Sequence, residues 1–308
     1  MTRIAVVGSL NMDLIIQTPR LPSPGETVIG REFITAPGGK GANQAVAAAR
    51  LGAHVELIGR VGADDFGRTL RETCTLANVN TKNVLIDDTA ATGVAIIQVD
   101  DSGQNTIVVA AGANARVTPA DVDAASTAIT SSNALIVQLE VPLVTVEHAL
   151  RLARAAHVLT VLNPAPAQHL APAVLALADI IIPNESEATR LTGIAVNDWA
   201  SAESAARALN HNNARAIIIT LGARGALALA NNRVIRVPSF PVHAIDATAA
   251  GDAFVAAFAV AFAAGQDLDR ALHEANAAGA LATTQLGAQP SLPTRAELDA
   301  FLRQESSR

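Results

Sequence analysis

The chain has 308 residues, half of them hydrophobic but only 3% aromatic, with a single cysteine and a formal charge of −6 from 22 Lys and Arg against 28 Asp and Glu. That length buries a sizeable core unaided, and one cysteine, Cys74, excludes both an intramolecular disulfide framework and a cysteine-rich zinc site. An acidic chain with no basic block and no aromatic platform excludes a nucleic-acid partner.

The first element is the strand RIAVVGSL (3–10), an apolar run of the kind covered on both faces. A strand that starts so early leaves no apolar core or cleavage site of a secretory signal, so a cytoplasmic protein is expected. Residues 13–18 (DLIIQT) and 27–35 (TVIGREFIT), separated by PRLPSPGE, are rich in β-branched residues and read as strands of a separate sheet. GANQAVAAARLGA (41–53) reads as a helix and HVELIGRVG (54–62) as the next strand. GVAIIQVD and NTIVVAAG flank the turn residues DSGQ and read as a hairpin. The two pairs make a small sheet inserted at about 13–36 and 93–110 into a single domain over 1–308.

From residue 134 strand and helix alternate: ALIVQLEVP, a helix over 145–157, VLTVLNPAP, a short helix, DIIIPNESEA, a helix over 201–212, and RAIIITLGARG. Such alternation predicts βαβ units and an α/β fold with a mostly parallel central sheet flanked by helices. The last 60 residues hold a loop of small residues and two or three helices. Their longest apolar run, AFVAAFAVAFAAG, is too short to span a bilayer and lies between Asp252 and Asp267, so no membrane partner is expected.

VVGSLNMD (6–13) has a glycine after the first strand but neither the GxGxxG spacing nor the following helix of a dinucleotide site. GGKGAN (38–43) contains a Gly-Lys pair without the GxxxxGK[ST] pattern of a P-loop. The remaining phosphate candidate is DATAAGDAFVAAF (246–258), where Asp246 and Asp252 stand six apart with only small residues and Thr248 between them. A helix starting at about Ala253 would present its orphan N–H groups here, and Ala249, Ala250 and Gly251 are too small to keep an anion away. Asp252 then reads either as the helix N-cap or as a base that takes a proton from an attacking hydroxyl.

Asn11 and Asp13 point to one side of an extended chain and suit vicinal sugar hydroxyls, or else cap a strand end. The glycines of APGGKGANQAVAAA allow close backbone approach to a ligand, with Asn43 in the first turn of the helix that follows; an ordinary helix start is the alternative. Asn184 and Glu187 of PNESEA stand at a strand's C-terminal end, where open α/β sheets bind ligands. Glu187 suits Mg²⁺ through its water shell, or is a plain helix N-terminal carboxylate. TLGARG sets Thr220, Gly222 and Gly225 in a turn against which a nucleotide can lie, though a plain turn explains it equally.

In order and spacing, GGKGANQAVAAARLG and DATAAGDAFVAAF resemble the two signatures of the ribokinase family of carbohydrate kinases. The resemblance runs through PNESEA, TLGARG and the tail GAQPSLP over essentially the whole chain. It implies a mostly parallel sheet with a small β-sheet lid over the sugar, ATP-dependent phosphorylation of D-ribose at its primary (5-) hydroxyl, and a homodimer formed through the lids. Carried over by position, Asp252 matches the catalytic base and Ala249, Ala250 and Gly251 the anion hole. Asn11, Asp13, Gly39, Lys40, Asn43 and Glu140 match the sugar pocket, and Asn184, Glu187, Thr220, Gly222, Gly225 and Asn276 the nucleotide side.

The resemblance also implies Mg²⁺ with ATP, near Glu187, and an activating K⁺ held at Asp246, Thr248, Ala282, Gln285, Gly287 and Ser291. The alternative for Asp246 is that it caps the loop by bonding backbone N–H groups. One departure is Ala247, which stands where many members have a second threonine and is expected to bear on loop packing more than on chemistry. Two other readings stay open: a kinase of the same family for 2-deoxyribose, fructose or a nucleoside, and a sugar-binding sensor without catalysis. The scarcity of aromatic residues in the lid strands argues against a nucleoside, and the presence of Asp252 with its anion hole argues against a mere sensor.

Overall fold

The computed structural model describes residues 1–210 and 214–306. In chain order the strands are β1 (Arg3–Val7), β2 (Asn11–Thr18), β3 (Glu32–Gly38), β4 (His54–Gly62), β5 (Val79–Asn80), β6 (Val84–Asp87), β7 (Gly93–Asp100) and β8 (Asn105–Ala110). They continue with β9 (Ala134–Val137), β10 (Leu159–Leu162), β11 (Ile180–Ile181), β12 (Ala216–Thr220), β13 (Ala226–Ala230) and β14 (Arg233–Val237). Ten of them form the main sheet in the order β14-β13-β12-β11-β10-β9-β1-β4-β5, with β6 also on β4. Pairing is parallel from β5 to β12, and only the β12-β13 and β13-β14 pairs are antiparallel.

Strand alternation sorts the core into two layers. Ile4, Val6 and Ile136 face the helices Lys40–Arg50, Ala250–Ala263 and Leu268–Ala282, while Ala5, Val7, Leu135 and Val137 face Leu143–Ala155 and Trp199–Leu209. Because both faces are covered, the central strands read as continuous apolar runs, and they are buried along their length. The second sheet, β3-β2-β7-β8, stands apart from the first and is tied to it through the short β1–β2 and β6–β7 connections.

Several expected boundaries move. The strand expected over 134–142 ends at Val137, where Gln138 leaves the sheet to make a buried hydrogen bond. The strand expected over 27–35 is Glu32–Gly38, because its antiparallel register with β2 runs from Gln17 opposite Glu32 to Asn11 opposite Gly38. The helix expected over 201–212 begins at Trp199, capped by Asp198, and ends at Leu209; residues 211 and 212 lie outside the described residues. The helix Asp65–Leu76, the edge strands β5 and β6 and the β13-β14 hairpin had no counterpart in the sequence reading, and four helices rather than two or three follow residue 249. Among the described residues no helix is long and apolar enough to cross a membrane.

Candidate active site

The helix Ala250–Ala263 begins three residues before its expected start, and its N-cap is Ala249 in the left-handed region (φ 59°, ψ 6°). Asp252 is therefore not the cap but a first-turn residue. Ala250 N donates to the Ala247 carbonyl (3.2 Å) and Ala253 N to the Ala249 carbonyl (2.9 Å). The N–H groups of Gly251 and Asp252 find no acceptor among the described residues, and a Cβ at Gly251 would meet open space. Free donors, dipole and room at a helix start suit an anion. The helix that carries it, AGDAFVAAFAVAFA, is buried over most of its length between the sheet and the helix Leu268–Ala282, so the donors stand on a fixed element.

Asp252 is itself buried, and both carboxylate oxygens are held by the helix Lys40–Arg50: Asn43 Nδ2 donates to Oδ2 (3.0 Å) and Gln44 Nε2 to Oδ1 (2.9 Å). Asp252 lines a cavity of about 180 Å³ together with Lys40, Asn163, Asn184, Glu187 and Thr220, closed on one side by Ala247, Ala249 and Gly251. Ala247, expected to matter for loop packing, thus forms part of the cavity wall. Gln44 and Asn163 were not anticipated. The signal for Gln44 was an amide inside an alanine run whose other members mark a buried face.

Asn11, Asp13, Gly39, Asn43 and Glu140 lie outside the lining of that cavity; β2 carries Asn11 and Asp13 on one face, both buried. Glu140 Oε2 accepts from Ser9 Oγ (2.5 Å), Lys40 N (3.1 Å) and Asn11 Nδ2 (3.4 Å), which gathers the strand end, the helix start and Glu140 into one cluster. Asn114 Nδ2 in turn donates to Asn11 Oδ1 (2.8 Å). Gly39 has φ 89°, and a Cβ there would lie 2.6 Å from Asn11 N, so the glycine pair of GGKGAN is needed for the helix to meet β2. Ser9 and Asn114 are further residues the sequence did not single out.

Burial raises the Asp13 carboxyl to about 7, with the charges of Glu140 and Asp252 adding to the effect and Lys40 opposing it. For Lys40 burial works against the charge, but Asp252, Glu140, Glu187 and Asp13 together outweigh it and hold the ammonium above its ordinary range. A buried ammonium among four carboxylates gives the cavity a strong point charge able to face a phosphate.

On the remaining side, Asn184 and Glu187 form a capping box at the start of the helix Glu185–Thr192: Asn184 Oδ1 accepts from Glu187 N (2.8 Å) and Glu187 Oε2 from Asn184 N (2.8 Å). Burial raises the Glu187 carboxyl, and the Asn184 N–H and Lys40 oppose the shift. Thr220 bridges to Asn184 at the strand ends. Gly222, Gly225 and Asn276 do not line this cavity. A Cβ on Gly225 would collide with the Val237 carbonyl, and Asn276 Nδ2 donates to the Pro238 carbonyl (2.6 Å), so both serve the backbone that follows β14. Gly222 has φ 53° and open space around it.

Asp246 caps its own loop and ties it to the C-terminal segment. Its Oδ1 accepts from Thr248 N (2.9 Å) and Thr248 Oγ1 (2.6 Å), and its Oδ2 from Gly287 N (2.9 Å). Burial alone would raise this carboxyl, but the bonds from Thr248 and Gly287 hold it below its ordinary value. Ala282 ends the helix Leu268–Ala282, Gln285 is exposed, and Ser291 Oγ donates to the Ala288 carbonyl (2.8 Å). Among the described residues no group of three or more His, Cys, Asp or Glu side chains is placed to hold a metal ion.

Residues 1–295 match the pattern of the pfkB family of carbohydrate kinases. The chain is 42% identical to a ribokinase of Haemophilus influenzae over 97% of its own length and 98% of that protein's. It is 36% identical to a deoxyribokinase of Salmonella typhi over 97% and 98%. Its fold superposes on that of Arabidopsis thaliana ribokinase, solved with ribose and ATP, with a TM-score of 0.91 at 29% identity, covering 98% of this chain and 99% of the other.

Proposed function

Because this chain belongs to the pfkB family of carbohydrate kinases, we propose that it transfers the γ-phosphoryl group of ATP to the primary hydroxyl of D-ribose, giving ribose 5-phosphate and ADP. The observation that carries the reading is Asp252, a buried carboxylate held at both oxygens, in the cavity lined by Gly251 at a helix start with unpaired N–H groups. Asp252 takes the proton of the hydroxyl as its oxygen attacks the phosphorus in line, and the N–H groups at the helix start receive the charge spread over the transferring oxygens. Lys40 neutralises phosphate charge from the facing side. Asn11, Asp13, Asn43 and Glu140 hold the sugar, and the small sheet closes over it to keep water from the phosphoryl group.

The residues present leave an oxygen for Mg²⁺. Glu187 Oε2 is used by Asn184 N and Oε1 has no partner among the described residues, so a buried carboxylate with a spare oxygen stands in the cavity. Mg²⁺ bound there through water would offset charge on the nucleotide phosphates. The loop 246–248 and the tail meet directly at the Asp246–Gly287 bond, and a monovalent cation implied by the family resemblance would sit at this junction in competition with the donors from Thr248 and Gly287. K⁺ there would stiffen the loop that presents the donors. Activity that is equal in K⁺, Na⁺ and tetramethylammonium chloride at matched ionic strength would leave Asp246 as a loop cap only.

A homodimer through the lid completes the reading. The register aligns Ile15, Ile34, Ile97 and Ile107 in one row across the small sheet, on the same face as Asp13. Ile34, Ile107 and Val109 on that face are exposed in the single chain, and an apolar row of this kind is a docking surface. A second lid seated there would abut the sugar site. We assign the enzyme to the cytoplasm, where ATP is available and the buried thiol of Cys74 stays reduced.

The test is ADP release with ribose, 2-deoxyribose, fructose and a nucleoside, with the product identified by mass and phosphorus NMR. Ribose is expected to lead, because buried partners of a 2-hydroxyl are left unpaired when it is missing. The deoxyribokinase among the relatives favours 2-deoxyribose as the second reading, and equal kcat/KM for the two pentoses would move the assignment there.

A further inference from the structure

Gln44 is fully buried in the second turn of the helix Lys40–Arg50, a segment otherwise made mostly of alanine and valine. A buried amide in such a setting destabilises the fold unless its groups are bonded. Three of its four bonding positions are filled: Nε2 donates to Asp252 Oδ1 (2.9 Å) and to Asn163 Oδ1 (3.0 Å), and Oε1 accepts from Gln138 Nε2 (2.6 Å). The donor from Gln138 fixes which end of the Gln44 amide faces the carboxylate.

Each link of this chain is anchored at the C-terminal end of a strand. Gln138 follows β9 and is fully buried. Asn163 follows β10, its own N–H bonds the Val137 carbonyl (2.9 Å), and its Nδ2 donates to the Ile182 carbonyl (2.9 Å) just past β11. Space for Gln138 depends on Gly8 at the end of β1, where a Cβ would collide with Gln138 Oε1. Four strand ends thus converge through three uncharged side chains on one oxygen of Asp252.

We propose that Gln44 is a positioning residue for the base: through Gln138 and Asn163 it fixes the carboxylate of Asp252 to the central sheet, so that a defined lone pair faces the sugar hydroxyl. The inference rests on the kinase reading of the same cavity. An amide suits the task because it donates to the carboxylate without supplying a charge. A lysine in its place would form an ion pair and weaken the base, and a glutamate would repel it. With Asn43 on Oδ2 and Gln44 on Oδ1, two of about four lone-pair directions are filled and the others remain for the substrate. The other charges around the base are Lys40 on the same helix, Asp13 on β2, Glu187 at the start of the helix Glu185–Thr192, and Glu140 after β9, which bonds the Lys40 backbone.

The test uses Gln44→Leu, Gln44→Glu and Gln138→Leu, each followed by kcat and KM across pH, by melting, and by the ¹³C titration of the Asp252 carboxyl. Gln44→Leu is expected to lower kcat about 10- to 100-fold with KM for ATP unchanged, since the attacking geometry loosens. The acid limb of kcat should move up by about one pH unit, because the carboxylate loses a donor. Gln44→Glu should move the limb further, and Gln138→Leu should produce a smaller change in the same direction. A role in packing alone would lower the melting temperature and scale kcat equally at every pH, and that result overturns the proposal. If Gln44→Leu does not fold, the near-isosteric Gln44→Glu and the remote Gln138→Leu decide. Wild-type protein that phosphorylates none of the sugars sinks the kinase reading, and the carboxyl titration still reads the Gln44 effect without turnover. An active wild type with unshifted variants sinks this inference alone.

Discussion

The floor of the cavity and the lid each contribute a buried carboxylate, and the two are held in opposite ways. Asp252 on the floor accepts from two amides of a neighbouring helix, one of them braced against four strand ends. Asp13 on the lid has no side-chain hydrogen bond among the described residues, and burial beside Glu140 and Asp252 raises its carboxyl to about 7. The carboxylate of Asp252 is bonded at both oxygens before any ligand arrives. Asp13 on the small sheet is not, since its carboxyl is buried without a side-chain partner among the described residues. Under the proposed function, chemistry that depends on a fraction of an ångström falls to the first, and capture that must admit and release a sugar falls to the second.

Removing the proposed base breaks the floor, and on the lid it takes away only one of the charges that raise Asp13. Asp252→Asn is expected to lower kcat by about a thousandfold, within the range for a lost general base, while calorimetry finds ribose and ATP binding within about threefold of wild type. Near wild-type kcat would mean that the amide-held carboxylate is only a support.

Asp13→Asn tests the other half. We expect KM for ribose to rise about 100-fold with little change for ATP, the loss falling on sugar binding. The same variant should be more stable than wild type at alkaline pH, and the sign follows from linkage. A carboxyl raised from 3.8 to about 7 on folding binds its proton more tightly in the native state. Native stability is therefore undiminished below about pH 4 and is lost progressively as pH rises through 7. Asparagine carries no charge to desolvate, so its advantage should be absent near pH 4 and reach about 2 to 4 kcal/mol at pH 8. Denaturant melts at the two pH values measure it, and an advantage independent of pH would show that Asp13 is not strained by its charge.

How much of this contrast was legible in the sequence depends on where each residue finds its partners. Asp252, Gly251, the small residues before them and Asn43 lie in short motifs, so local chemistry named them, whereas Lys40 and Glu140 came only from the family resemblance. The αL conformation of Ala249 hid the helix start, because alanine gives no sign of such a turn, and Asp252 therefore looked as much like a cap as a base. Gln44, Gln138 and Asn163 were invisible as a group: Gln44 and Asp252 are 208 residues apart, and only the sheet brings them together. The β13-β14 hairpin escaped for a different reason. Its strands, ALALA and RVIRV, are short and lack the turn glycine that marks a tight hairpin, the reversal being made by Asn231 and Asn232 at positive φ.

A milder perturbation of the lid leaves its carboxylate in place. Ile107 lies in the apolar row on the Asp13 face and is exposed in the single chain. Ile107→Glu is expected to convert a dimer to a monomer in analytical ultracentrifugation, because two such charges cannot be buried face to face. With the lid no longer braced, kcat/KM for ribose should fall about tenfold, a loss of the order given by one or two lost positioning contacts. A variant that stays dimeric would place the subunit contact elsewhere.

The smallest change asks where the rigidity of the floor resides. Ala249 holds a left-handed conformation at the helix N-cap, which costs an alanine about 1 to 2 kcal/mol. Glycine escapes that strain but adds about 0.5 to 1 kcal/mol of unfolded-chain entropy. Ala249→Gly should therefore stabilise the protein by about 0.5 kcal/mol, a rise of about 1 °C in Tm. Its kcat should stay within about twofold of wild type, because the loop remains tied by Asp246 to Thr248 and Gly287 and the helix behind it remains buried. A tenfold loss of kcat at unchanged or higher Tm would show instead that the donors are aimed by the backbone angle of one residue. The contrast between floor and lid would then rest on that angle more than on the buried amides around Asp252.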